Sequence, residues 1–415
     1  MLGMGNMRQW LMNISLVGGW FPAAAFAVIA VLSVTLLVSA AVSKRDGRIL
    51  ATVLPIGVEA VSGMVGYVVA WLLSDVFVVF GVGLGSRVMS WVAAGFAIAG
   101  FAIVHIVLSR GMMRVAAAIL TVFAILAAAI GIDQSYGEYA TIGSLFGEDS
   151  YSQADLTGLA KRKDLITVAQ WRKQAANGTI RNIPANGTVN KIDIPATKSQ
   201  FEARKALVYL PPAALADSKR KPALPVVLML SGQPGIPGRV FQAGGIQTMM
   251  DGHAKTHDGL APIVIAADQL GADSHNTLCV DSKVYGNALT YLTQDVVDWV
   301  KTNLPAAQDA KDWAIAGFSQ GATCSLQIGV NHPDLFGTMI PTDSEIKPTN
   351  GSRQEMIDRF FDGDTTAYEN QVPVNAIRNH APTHQMLIIG AGEKDTTSIR
   401  NVKTIAPVAA KAGMR

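Results

Sequence analysis

The chain has 415 residues, half of them hydrophobic, and a mean hydropathy of +0.29, too apolar for an average soluble protein and indicative of membrane segments. Its net charge is only +3 with no long basic run, so nothing in it supports nucleic-acid binding. Two cysteines make neither a disulfide scaffold nor a zinc site.

Residues 1–132 read as a four-helix transmembrane region. Uncharged apolar runs extend over Trp20 to Val42 and about Val115 to Ile132; similar runs cover about Ile49 to Leu73 and Val88 to Leu108. Each approaches or exceeds the roughly 20 residues a bilayer requires. The first is too long for a signal-peptide core, and three more follow it. Lys44, Arg45 and Arg48 follow the first run, and Arg110 and Arg114 separate the third from the fourth. The positive-inside rule makes these two loops cytoplasmic, so the N-terminus and everything after Ile132 are expected outside. Trp20, Trp71 and Trp91 then form an outer aromatic belt. Glu59 and His105 fall inside spans and are expected to pair across helices rather than serve transport.

Composition changes at Asp133. Residues 133–186 read as a linker with one helical piece, about Asp164 to Ala176. Residues 187–415 alternate between strand and helix patterns. Val189 to Ile194, Lys205 to Leu210, Pro225 to Leu230, Pro262 to Ala267, Trp313 to Ala316, Thr338 to Pro341 and Met386 to Ile389 are strand candidates, and Tyr291 to Val300 is an amphipathic helix. The fold class is therefore an α-helical membrane region followed by an α/β domain with a mainly parallel sheet and helices on both faces.

Gly317-Phe318-Ser319-Gln320-Gly321 lies between the strand at Trp313 and a helical pattern that His332-Pro333 ends. Strand, tight turn and helix with a serine at the apex is the nucleophile-elbow pattern. A serine hydroxyl is a weak nucleophile and must be presented to a base. The five-residue pattern alone arises by chance in about one chain in ten of this length; its flanks make it specific. Two oxyanion donors are expected, the backbone N–H groups of Gln320, after the nucleophile, and Gln233, on the loop after the strand ending at Leu230. The acid is expected after the last strand, at Asp395, with Glu393 in reserve and Asp343 third. Cys279 and Cys324, outside the membrane, are expected to form a disulfide bracing the active-site rim. No metal or other cofactor is implied: His253 and His257 are four apart, but no glutamate of a zinc-protease helix lies between them.

Five blocks are similar, in order, to those of the putative esterase family of α/β-hydrolases, the group containing esterase D and the antigen 85 mycolyltransferases. They are Val208-Tyr209-Leu210-Pro211-Pro212, Leu230-Ser231-Gly232, Tyr291-Leu292-Thr293-Gln294-Asp295, Gly317 to Gly321, and His332-Pro333-Asp334-Leu335-Phe336. The four-span segment resembles that of membrane-bound actinobacterial members. The resemblance implies a multi-pass, extracytoplasmic serine esterase or acyltransferase. Its expected substrate is a cell-envelope ester: a glycolipid acyl ester or an aminoacyl phospholipid. The alternative is a non-catalytic member that binds a partner or ligand. One departure stands out. The family's catalytic histidine follows the acid and one further strand, and Thr396 to Arg415 contain neither. The explanations, in order, are a chain that stops short, a degenerate member, or a substitute among His253, His257, His275, His332, His380 and His384.

Overall fold

In the computed structural model, four helices of 23 to 25 residues occupy the apolar runs and are long and apolar enough to cross a membrane. They are α1 (Trp20–Val42), α2 (Arg48–Trp71, continued by a wider turn, Leu72–Val76), α3 (Gly85–Leu108) and α4 (Met112–Tyr136). The structure describes residues 4–42, 48–77, 84–136, 139, 141–146, 151–180, 182–273 and 275–415; Lys44 and Arg45 lie outside them. Leu36, Phe101, Ala102, Ala117 and Leu120 form the packed centre of this unit.

The expected Glu59–His105 pair does not form. His105 is buried against Phe101, ring centroids 4.6 Å apart, and its Nε2 has no partner. Glu59 instead lines a groove with Ile56, Gly63, Ala93 and Ala97. Lying within spans does not fix which neighbours a side chain meets across the helix interface.

The chain divides into Met1–Ser150 and Tyr151–Arg415. The second unit is built on an eight-stranded sheet among the described residues. Its strands are β1 (Ser152–Gln153), β2 (Thr188–Ile192), β3 (Ala206–Leu210), β4 (Val226–Leu230), β5 (Ile263–Ala266), β6 (Trp313–Phe318), β7 (Thr338–Thr342) and β8 (Met386–Leu387). The order is β1-β2-β3-β5-β4-β6-β7-β8. Only β2–β3 and β3–β5 are antiparallel. The parallel centre is apolar on both faces, as its continuous Val/Ile/Leu runs require. Leu228, Ile265 and Ile315 are buried on one face there, and Val264 and Ala266 on the other.

The stretch read as a linker is not one beyond Ser150. β1 pairs with β2. A short helix, α5 (Val168–Ala176), starts at a capping box between Thr167 and Gln170. It buries Trp171 completely, and the indole N–H donates to the Asp258 carbonyl at 3.0 Å. Ile166 and Trp171 are isolated anchors, too few to give a periodic signal.

The amphipathic helix extends past both ends of its pattern, from Ala288 to Asn303, with one wider turn inside it. A wider turn, Tyr291–Asp295, leads into α6 (Val296–Asn303). The Asp295 carboxylate accepts from the N–H groups of Lys198 and Ser199, both at 2.9 Å. Burial works to raise its pKa, but these hydrogen bonds hold it below the ordinary carboxylate range.

At the far edge, the β8 groups facing β7 are taken by Gly337 and Met339, whereas those facing outward meet Arg415. Leu387 N–H donates to Arg415 O at 2.9 Å, and Arg415 N–H to Gln385 O at 3.1 Å.

Candidate active site

Strand register assembles the site. Gly317 is opposite Leu230 of β4, and Phe318 is opposite Thr342 of β7. Three loops therefore leave the sheet at one level, at its C-terminal edge, where open α/β sheets bind ligands. Ser319 begins one, Ser231 another and Asp343 the third.

Ser319 sits at φ 54°, ψ −115°, a conformation L-residues rarely adopt. Its N–H donates to Thr342 O at 3.0 Å, and its carbonyl accepts from Thr323 N–H at 3.1 Å. Helix α7 (Gln320–Asn331) starts immediately afterwards, and the Ser319 side chain makes no capping bond to it. The hydroxyl is thus presented at the sheet edge rather than turned onto the helix end. The two glycines of the motif let this happen. A Cβ on Gly321 would lie 2.3 Å from Ser231 O and 2.5 Å from Leu230 O; one on Gly317 would lie 2.2 Å from Gly321 O. All are backbone atoms that cannot swing aside.

The loop after β4 runs alongside. A Cβ on Gly232 would stand 3.6 Å from Ser319 Cβ, so Gln233 follows a residue that lies beside Ser319. Gln320 is the first residue of α7, where a backbone N–H has no intrahelical acceptor. The loop is tied down by Arg204. Its guanidinium forks onto buried Asp268, at 2.9 Å from Nε and 2.8 Å from Nη2, reaches Gly235 O at 2.9 Å, and pairs with Asp273.

The acid candidates converge. Asp395 caps helix α8 (Thr396–Lys411), accepting from Thr397 N–H at 3.0 Å and from Ser398 N–H at 2.9 Å. Asp343, at φ 57°, accepts from Gly392 N–H at 2.7 Å. A Cβ on Gly392 would be 3.8 Å from Asp343 Oδ2 and 3.9 Å from Asp395 Cβ, so both residues border one small patch. Glu393 is exposed.

Cys279 and Cys324 are disulfide-bonded, joining the loop after β5 to helix α7.

The histidines fall elsewhere. His332 ends α7, about 20 Å along the helix from Ser319 at 1.5 Å per residue. His380 Nε2 meets Asn331 Oδ1 at 3.0 Å, at that same distant end. His384 precedes β8, at the wrong edge of a parallel sheet. His253, on a separate helix, Ile246–Lys255, stacks on His257 in the turn that follows it. His275 stacks on Tyr285, on the loop whose Asn276 touches Gln320. Among the described residues, no histidine hydrogen-bonds Ser319.

Sequence reasoning missed Gln269. It is wholly buried after β5 and meets both Ser231 and Gln320. No local pattern marks it.

A family model described as Putative esterase matches residues 198–412, half of the chain, including the elbow and all three acid candidates. The chain belongs to this esterase family. An uncharacterized protein of Corynebacterium glutamicum is 32% identical to this esterase over 333 residues, 78% of this chain and 74% of the relative. Among solved structures, similarity extends to an S-formylglutathione hydrolase from Agrobacterium tumefaciens, with 15% identity, a TM-score of 0.43, and coverage of 56% of this chain and 94% of that one. It also extends to MPT51 of Mycobacterium tuberculosis, with 14% identity, a TM-score of 0.39, and coverage of 54% and 86%. The esterase is a hydrolase, and the family match lies wholly within its second unit.

Proposed function

We propose that Ser319 is the nucleophile of a membrane-anchored esterase or acyltransferase whose catalytic unit is extracytoplasmic and acts on envelope lipid esters. The observation that carries this reading is the strained Ser319 backbone, its uncapped hydroxyl set beside Gly232. Ser319 Oγ attacks the ester carbonyl and gives its proton to a base. The Gln233 and Gln320 N–H groups hold the oxyanion, and its collapse expels the alcohol. Water or an alcohol then takes the acyl group. Asp395 is the acid that orients the base, with Asp343 as its neighbour.

Two features support a lipid ester. Phe318, next to the nucleophile, is 55% exposed and offers an apolar surface to an acyl chain. Tethering to four apolar helices raises the effective concentration of membrane lipids. Glycolipid acyl esters and aminoacyl phospholipids are the two classes to assay.

A second reading gives the base role to His275, because its loop reaches Gln320 through Asn276. The test is fluorophosphonate labelling of the full chain in detergent, with an activated ester assayed in parallel. Slow labelling at Ser319 and feeble turnover are expected, both lost in Ser319→Ala. A residual enhancement of about 10³–10⁴ over water survives in serine hydrolases that lose a triad member. His275→Gln is expected to leave the rate unchanged. A further fall of about 10³-fold would assign the base to His275. Absence of labelling at Ser319 would overturn the nucleophile assignment.

A further inference from the structure

The two proposed oxyanion donors come from separate loops, Gln233 after β4 and Gln320 after β6. Something must fix their spacing, since a misplacement of about 1 Å in an active site can cost about a hundredfold in rate. One buried side chain touches both supports.

Gln269 follows β5 and is 0% exposed. Its Nε2 donates to Ser231 O at 2.6 Å, two residues before Gln233. The same nitrogen lies 3.2 Å from Gln320 Oε1, on the residue that carries the second donor. Ser231 O also lies close to Gly321, where an added Cβ would stand only 2.3 Å from it. The planar peptide that follows is fixed with it, so the Gly232 N–H points opposite to the captured carbonyl. Gln320 is held in turn. Its Nε2 donates to Asn276 Oδ1 at 3.3 Å and lies 3.7 Å from Cys279 Sγ. Thr277 Oγ1 donates to Gln269 O at 2.7 Å, and Cys279 is bonded to Cys324 on α7. The network therefore closes on itself: β5 loop, β4 loop, nucleophile helix, and back through the disulfide.

Gln269 Oε1 has no hydrogen-bond partner despite complete burial. A buried orphan acceptor is unfavourable and calls for an explanation. Methionine would fill the same space without that cost. What methionine lacks is the Nε2 donor, the one part of Gln269 that reaches both loops.

We propose that Gln269 is a positioning residue that sets the spacing of the two oxyanion donors through Ser231 and the Gln320 side chain. The proposal rests on the assignment of Ser319 and its two donors made above. It gives Gln269 no contact with substrate.

The test measures inactivation of the detergent-solubilised full chain by a fluorophosphonate, with maximal rate (kinact) and half-saturating concentration (KI) separated. Attack on phosphorus develops negative charge on the phosphoryl oxygen, so the donors act in that step. Gln269→Met should lower kinact about 10- to 100-fold and leave KI within about twofold. Gln320→Met should do the same. The double variant should be no slower than either single one, because both remove the same strut. Gln269→Glu keeps the shape and guards against a misfolded methionine variant. It can donate only when protonated, so its kinact should fall with rising pH more steeply than that of the wild type. A Gln269→Met kinact within twofold of wild type, a change confined to KI, or losses that multiply in the double variant would each overturn the proposal. Ser319→Ala is run alongside. If the wild type labels at Ser319 and Gln269→Met labels equally fast, only this inference fails. If the wild type does not label at Ser319, the nucleophile assignment fails and takes the inference with it.

Discussion

Replacing Ser319 by glycine should abolish activity and yet raise stability relative to alanine at the same position. Ser319 is held at φ 54°, ψ −115° by the Thr342 and Thr323 hydrogen bonds around it. Such a backbone costs an L-residue on the order of 1–3 kcal/mol. Glycine removes that cost because it has no Cβ, but it gives back roughly 0.5–1 kcal/mol through the greater freedom of the unfolded chain. Ser319→Ala keeps the Cβ and therefore the strain, and it deletes only a hydroxyl that caps nothing. The glycine variant should thus be more stable than the alanine variant by about 1 kcal/mol. For a unit of this size that is a difference of about 2–4 °C in Tm. Both variants lack the Ser319 hydroxyl, so activity does not confound the comparison. The assay is thermal unfolding of the two purified full chains in one detergent. If Ser319→Gly melts below Ser319→Ala by a similar margin, as at an ordinary helix start, the strained-elbow reasoning is wrong.

Two further predictions follow from the disulfide and from the charge pattern. The Cys279–Cys324 bond spans 45 residues, and the chain-entropy relation gives about 4 kcal/mol for a loop of that length. Cys279→Ala with Cys324→Ala should therefore lower the Tm by several degrees, and peptide mapping without reductant should find the linked pair; free labelling of both thiols in the folded protein would refute the bond. A reporter fused after Ile132 should be active only outside the cytoplasm, and activity inside would overturn the proposed orientation together with the compartment argument for the disulfide.

What could be read from the sequence was local. Gly317 to Gly321 encode a turn whose geometry is decided within five residues, and the structure puts both glycines against backbone atoms. The central strands were legible because a strand buried on both faces must be apolar throughout, as Val226–Leu230 and Ile263–Ala266 are. What was not legible depends on contacts between distant segments. Gln269 owes its position to Ser231 and Gln320, 38 and 51 residues away. Trp171 packs beneath the sheet from a segment without apolar periodicity. Glu59 and His105 are matched only by both lying inside spans, whereas Glu59 lines a groove with Ala93 and Ala97 and His105 packs on Phe101. Asp343 ranked third among the acids because chain order favours a later strand, whereas the bridge between Thr342 and Gly390 brings it to the same patch as Asp395.

That patch bears on how the charge at the site is divided. Asp395 is fixed before any substrate arrives, because the N-terminal amides of α8 hold one of its oxygens. Its other oxygen meets only the Ser398 hydroxyl, at 3.0 Å. A carboxylate oxygen offers two lone pairs, so Asp395 keeps acceptor capacity for an imidazole N–H while its orientation is set by the helix. Asp343 gives an oxygen to Gly392 N–H and so shapes the loop that carries Asp395. Its backbone is the continuation of Thr342, whose carbonyl anchors the Ser319 N–H. Under the proposed assignment of Ser319, Asp343 would couple the elbow to the acid loop and Asp395 would orient a base. The division rests on which oxygen of each carboxylate is already engaged.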